Sequence, residues 1–156
     1  MSARTKARKR ALDILYVADL RQIPIPQALA TEAERAANEP AREASWLYAR
    51  EIVDGVNDHR AEIDELIETY AHGWTLTRMP IVDRAIVRIG VWELLYNSEV
   101  PTGVAISEAV EAATVLSTED SSGFINGLLA KIAQLAGDDS TADAAAGDPA
   151  EQRPQP

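Results

Sequence analysis

Apolar residues recur at three- and four-residue intervals along most of the chain, and prolines interrupt the pattern between stretches, which points to packed helices. Pro24 and Pro26 break the first stretch, Pro40 separates the second from the third, Pro80 opens the fourth and Pro101 ends it. A proline lacks the N–H and the freedom in φ that a helix interior requires. The spacing predicts helices over 4–21, 26–38, 42–71 with a bend near Asn57 to His59, 80–97, 103–117 and 121–136. Apolar residues make up 46% of the chain and aromatics only 5%, with Ala, Leu, Ile and Val dominant, which suits helix packing. At 156 residues the chain can bury one core but not two large independent ones.

With no cysteine, neither a disulfide framework nor a thiolate metal site can form, and nothing argues for an oxidising compartment. No stretch is long and apolar enough to span a membrane, and no signal-peptide core follows the charged start. A cytoplasmic location is expected, with no membrane partner.

The net charge of −10 argues at first against nucleic acid, whose phosphates attract cations. Its distribution reverses that reading. Residues 1–10 carry Arg4, Lys6, Arg8, Lys9 and Arg10 and no acid, whereas residues 11–136 hold 9 bases and 20 acids, a charge of −11. The last stretch, 137–156, is small, acidic and proline-ended, and is expected to be a disordered acidic tail.

In the first helix Ala11, Ile14, Leu15 and Ala18 form the core stripe, widened by Leu12 and Tyr16. Extended backwards, the stripe meets Arg8 and Arg4, and burying two unpaired guanidinium groups would cost several kcal/mol. The first two turns are therefore expected to stand clear of the core as a cationic rod suited to phosphates; a frayed, solubilising terminus is the plainer alternative. In the fourth helix Val82, Ala85, Ile86, Ile89, Trp92 and Tyr96 share a face, with Arg84 and Arg88 away from it. Glu93 sits on the apolar side, where it either reaches a donor as a buried hydrogen-bonder or edges out at the rim, a catalytic acid being the sharper reading. The fifth helix places Ile106, Val110, Ala113 and Leu116 inward and Glu108 and Glu111 in solvent. In the last, Phe124, Leu128, Ile132 and Leu135 line up, and Gly127 is expected to permit close helix packing.

Catalytic chemistry is not visible. There is no Gly-rich phosphate loop, no G-x-S-x-G and no H-E-x-x-H, and His59 and His72 alone cannot build a zinc site. Glu62, Asp64, Glu65 and Glu68 alternate with the apolar Ile63, Leu66, Ile67 and Tyr70 and read as a solvated helix face. No cofactor and no enzymatic activity are expected.

Four segments in order carry a resemblance: the basic start running into ALDILY (Ala11 to Tyr16), VDRAIVRIGVWELL (Val82 to Leu95) followed by Val100-Pro101, VAISEAVEAA (Val104 to Ala113), and EDSSGFINGLLAKI (Glu119 to Ile132). Together they resemble the NusB family of transcription antitermination factors. The resemblance implies an all-α fold of two small packed helical bundles, 1–76 with the basic arm and 77–136. It also implies binding of single-stranded boxA RNA of ribosomal RNA leader transcripts, together with the small-subunit ribosomal protein NusE, in the RNA polymerase antitermination complex. By position, Arg4, Lys6, Arg8, Lys9 and Arg10 match the family's arginine-rich RNA-contacting start, and Tyr16 joins them as an RNA-binding candidate. Phe124 matches an aromatic suited to stacking on an unpaired base. Asp120 matches an acidic position beside the RNA path, and Asp83 a carboxylate facing NusE. Thr114 and Gly123 stand where relatives commonly carry lysine, and Leu116-Ser117 replaces a Phe-Gly pair, so binding is expected to depend more on the arm.

Two rival readings remain. A helical homodimer could bury the basic arm against the acidic body of its twin, hiding it from RNA. A NusB-like domain also serves as the appendage of some ribosomal RNA methyltransferases, but the short acidic stretch after Gly137 is expected to leave no room for a cofactor-binding domain.

Overall fold

A computed structural model describes the backbone of residues 2–146 and the side chains of 2–137. Seven α-helices follow one another: α1 (Ala3–Arg21), α2 (Ile25–Ala36), α3 (Glu43–Asp58), α4 (Arg60–Tyr70), α5 (Ile81–Tyr96), α6 (Thr102–Leu116) and α7 (Glu119–Ala146). A 3₁₀ turn, Pro40–Arg42, leads into α3. Pro80 opens α5 as expected, and Pro24 and Pro101, expected to interrupt the stretches before them, also occupy the N-cap positions of the helices that follow, α2 and α6, where no helical N–H is needed. The bend expected near residues 57–59 is a full break at His59, which ends α3 and begins α4. The Ser2 hydroxyl accepts from the Thr5 N–H and caps α1.

The fold is all-α, two small bundles packed about α5, which touches α1, α3 and α4 on one side and α6 and α7 on the other. A helix enclosed on all sides must be buried all round. Val87 and Val91 are accordingly fully buried, as are Ala85 and Ile86 nearly so, and one continuous core runs through both halves of the molecule. Arg88 is therefore not turned away from the interior. It is 5% exposed, and its Nε and Nη2 donate to the two oxygens of Asp64 at 2.9 and 3.1 Å while Nη1 donates to Asp19 at 2.9 Å. Burial lowers the Arg88 pKa, but the Asp64 and Asp19 carboxylates more than offset it and hold the group above its ordinary value. This cluster ties α1, α4 and α5 together.

Two packing expectations are corrected. In α6 the buried stripe is Ala105, Ala109 and Ala113 rather than Val110 and Leu116, because small side chains let α6 approach its neighbours closely. Gly127 faces open space. The close approaches occur instead at Gly90, where an added Cβ would lie 2.8 Å from Leu129 Cδ1, and at Gly55, where it would overlap the Trp92 indole. Trp92 is 5% exposed and cannot swing aside. Gly55→Ala is thus expected to lower stability by about 2 kcal/mol, overpacking outweighing the better helix propensity of alanine. A drop of several degrees in Tm measures it; an unchanged or raised Tm shows that Trp92 yields.

α7 runs on to Ala146, past the end expected at residue 136. The segment 137–146 lacks proline and is rich in alanine, which suits a helix. The rest of the expected tail, 147–156, lies outside the described residues.

Candidate nucleic-acid interface

The N-terminal cations sit on a helix that is packed from its second turn onward, not on a rod clear of the core. Ala7 is fully buried and Arg8 is 9% exposed. Burying a guanidinium group costs several kcal/mol only where it lacks a partner. Arg8 has one: its Nε donates to Glu93 at 2.8 and 3.1 Å, and its Nη2 to Glu93 Oε2 at 2.9 Å. Two charges that look anomalous on separate apolar stripes therefore neutralise each other through a two-pronged ion pair. Tyr48 donates to Glu93 at 2.6 Å, and the Asn97 amide donates to the Tyr48 oxygen at 3.1 Å. Glu93 is thus a buried hydrogen-bonder. Burial alone would push the Arg8 guanidinium down, and the Glu93 hydrogen bond and charge hold it above its ordinary value. Burial, then the Glu93 carboxylate, push the Tyr48 phenol well up. Glu108, expected in solvent, lies 3.4 Å from Arg8 Nη1 and accepts from the Thr5 hydroxyl at 2.9 Å.

Arg8 is therefore the anchor of the arm, and four cations surround it. Lys6 is exposed and pairs with no carboxylate among the described residues. Lys9 meets Asp13 at 2.7 Å, both half-exposed. Arg4, beyond the end of the core stripe, lies over the Tyr48 ring at 4.7 Å and 3.6 Å from the exposed Glu99. Arg10 donates to Ser45 Oγ at 3.2 Å and lies over the Trp46 ring at 5.6 Å. Surface ion pairs of this kind contribute ~0–1 kcal/mol and exchange readily for other anions. Tyr16, 37% exposed, follows Lys9 by seven residues, on the same flank of α1.

Beside the arm an apolar groove of about 290 Å³ runs between α1, α5 and α6, bordered near the arm by Thr5, Lys9 and Glu108. Farther on it is bordered by Val115 and Leu116, which lie about 12 Å along α6 from Glu108. The α6–α7 turn follows at once. Asp120 is exposed on the first turn of α7, and Phe124 stands one turn later. The groove thus runs from the basic arm to the last turn of α6; neither Asp120 nor Phe124 lines it.

Phe124 is half-buried and its ring packs on Trp74, centroids 5.1 Å apart and planes tilted by 31°. Trp74, 44% exposed, was missed because it stands in the segment between α4 and α5, where periodicity says nothing. Asp83 does not face outward. It is 1% exposed and accepts from the Ser121 hydroxyl at 2.7 Å, so it joins the start of α5 to the first turn of α7. A carboxylate in the first turn of a helix enclosed on all sides is held inward by that geometry, and as the molecule stands it cannot contact a partner.

Among the described residues no cluster of acids and histidines could hold a metal ion, and no helix is long and apolar enough to cross a membrane. The sequence model of the NusB family matches residues 5–134. The chain belongs to the NusB family. The transcription antitermination protein NusB of Leifsonia xyli subsp. xyli is 81% identical over 134 residues, covering 86% of this chain and 93% of the relative. The NusB of Clavibacter sepedonicus is 66% identical over 133 residues, covering 85% and 97%. Among solved structures, T. maritima NusB superposes with a TM-score of 0.72 at 30% identity, covering 86% of this chain and 92% of the other. A crystal structure of the antitermination factors NusB and NusE in complex with double-stranded RNA also matches with a TM-score of 0.72, at 29% identity, covering 86% and 98%. These NusB proteins are transcription antitermination proteins, a regulatory rather than an enzymatic family.

Proposed function

We propose that this NusB-family chain binds the single-stranded boxA segment of ribosomal RNA leader transcripts together with NusE, and so helps RNA polymerase pass terminators. The observation that carries the reading is the grouping of Arg4, Lys6, Lys9 and Arg10 around an anchored helix start, on a body of charge −11. A cationic patch so concentrated serves phosphates. Tyr16 and Phe124 add aromatic surface for unpaired bases, and Asp120 moderates affinity by repulsion. The related structure of NusB and NusE with double-stranded RNA supports NusE and RNA as partner classes, and the acidic body suits a basic ribosomal protein. Asp83, being buried, is not offered as the NusE contact.

The salt dependence of RNA binding tests the reading. With Arg8 held by Glu93, four cations are available, so log affinity for a boxA-like single strand falls against log salt with a slope of about 3, using the single-strand coefficient. A fluorescence-anisotropy titration from low to moderate salt measures this, and a slope near zero rejects the phosphate-binding arm.

A further inference from the structure

We propose that Trp74 acts with Phe124 as the second ring of a base-stacking platform, flanked by Arg78 and Lys131, that takes an unpaired RNA base. The proposal rests on the RNA-binding reading above and extends it to residues which that reading does not use.

Trp74 is presented by the turn after α4. His72 and Gly73 have φ of +40° and +89°, and this left-handed pair reverses the chain. The turn is fixed from inside by Leu76 and Met79, which are 7% and 2% exposed, and by the Leu76 N–H donating to Glu68 at 3.2 Å. Against this anchored segment the indole lies outward, one side on Phe124 and 44% of the residue in solvent. Its two tryptophan counterparts are more enclosed, Trp92 being buried and Trp46 half-buried.

The charges around the pair favour a nucleic acid. Of the nine cations in 11–136, Arg35, Arg42, Arg50, Arg60, Arg84 and Arg88 each lie within ion-pair distance of a carboxylate. Among the described residues Arg21, Arg78 and Lys131 do not, although the body is rich in acids. Two of these three lie near the aromatic pair along the chain. Arg78 closes a hydrogen-bonded turn with Thr75, next to Trp74. Lys131 follows Phe124 by seven residues, on the same face of α7 and about 10 Å along it. Unpaired cations beside an exposed indole offer what a single-stranded nucleotide needs, a ring for the base and positive charge for its phosphates.

The test uses the full chain and a boxA-like single-stranded RNA oligonucleotide. Trp74→Ala is expected to weaken binding about tenfold, the effect of losing one base stack, without changing the salt slope. Trp74→Phe, which keeps a ring, stays within about twofold of the unmutated chain. In a Trp46→Phe background, where Trp74 is the remaining exposed tryptophan, RNA quenches the emission. Undiminished affinity of Trp74→Ala in a chain that binds RNA overturns this proposal and leaves the arm reading intact. Equal loss in Trp74→Ala and Trp74→Phe without quenching overturns it too, making Trp74 structural. If RNA binding is kept and association with NusE is lost, the surface is a protein contact and the proposal is wrong. An unmutated chain that binds no RNA removes both readings.

Discussion

Arg8→Ala is expected to cost about 3–5 kcal/mol of folding stability, the usual effect of removing one partner from a buried ion pair. Small domains have only about 5–15 kcal/mol in total, so the change takes a large share. Glu93, 1% exposed, keeps the Tyr48 hydroxyl but loses every charged donor in its surroundings, and Glu108 loses its nearest cation. A carboxylate left in that condition has no water to turn to. The neighbouring Arg4 provides the contrast. Its side chain is 48% exposed and its partner Glu99 79% exposed, so Arg4→Ala changes stability by no more than about 1 kcal/mol. Replacing both members, Arg8→Met with Glu93→Met, recovers part of the loss, because no buried charge is left at the core of the pair, while the Tyr48 hydroxyl loses its acceptor. Urea unfolding followed by circular dichroism reads these variants, and adding the singles Arg8→Met and Glu93→Met completes the double-mutant cycle that isolates the pair. A single variant within 1 kcal/mol of the unmutated chain means that Glu93 finds another donor, and the anchoring role of Arg8 falls.

What was legible in the sequence was whatever is decided locally. Pro24, Pro80 and Pro101 mark interruptions of the helical pattern because a missing N–H acts within its own turn, and the starts of α2, α5 and α6 fall beside them. The core stripe of α1 was visible for the same reason. Arg8 and Glu93, 85 residues apart, each looked out of place when read alone, and only the packing of α1 on α5 turns two exceptions into one pair. The same limit explains Arg88, whose carboxylates come from α1 and α4, and Asp83, whose donor lies on α7. The α6 stripe was misplaced for a different reason. Periodicity follows bulky residues, so of the buried stripe only Ala113 was placed inward, and Val110 and Leu116 outweighed Ala105 and Ala109, although closely packed helices select the small ones. Val115, 70% exposed, shows how freely bulk can sit outside. Of the candidate site, the cations and Phe124 were legible as residue types, while the groove beside the arm, the ring packed on Phe124 and the anchoring of the arm depend on contacts across the chain.

Because Arg8 holds the arm down, removing residues 2–10 would test two things at once, stability and charge. Neutralising only the outer cations, Arg4→Gln, Lys6→Gln, Lys9→Gln and Arg10→Gln, separates them. Their ion pairs are exposed, so stability is expected to change by no more than about 1 kcal/mol. RNA affinity responds differently. Four phosphate contacts give a salt slope of about 3, which amounts to a several-hundred-fold difference in affinity between 0.1 M salt and the 1 M limit where the electrostatic contribution vanishes. The fourfold variant should therefore lose about two orders of magnitude or more at 0.1 M salt, lose most of its slope apart from what Arg78 and Lys131 contribute, and converge with the unmutated chain as salt rises. Convergence is the discriminating feature, since a damaged fold would weaken binding at every salt concentration. A variant that keeps both its affinity at low salt and its slope shows that the phosphates are met elsewhere, with Arg21, Arg78 and Lys131 the cations left to meet them.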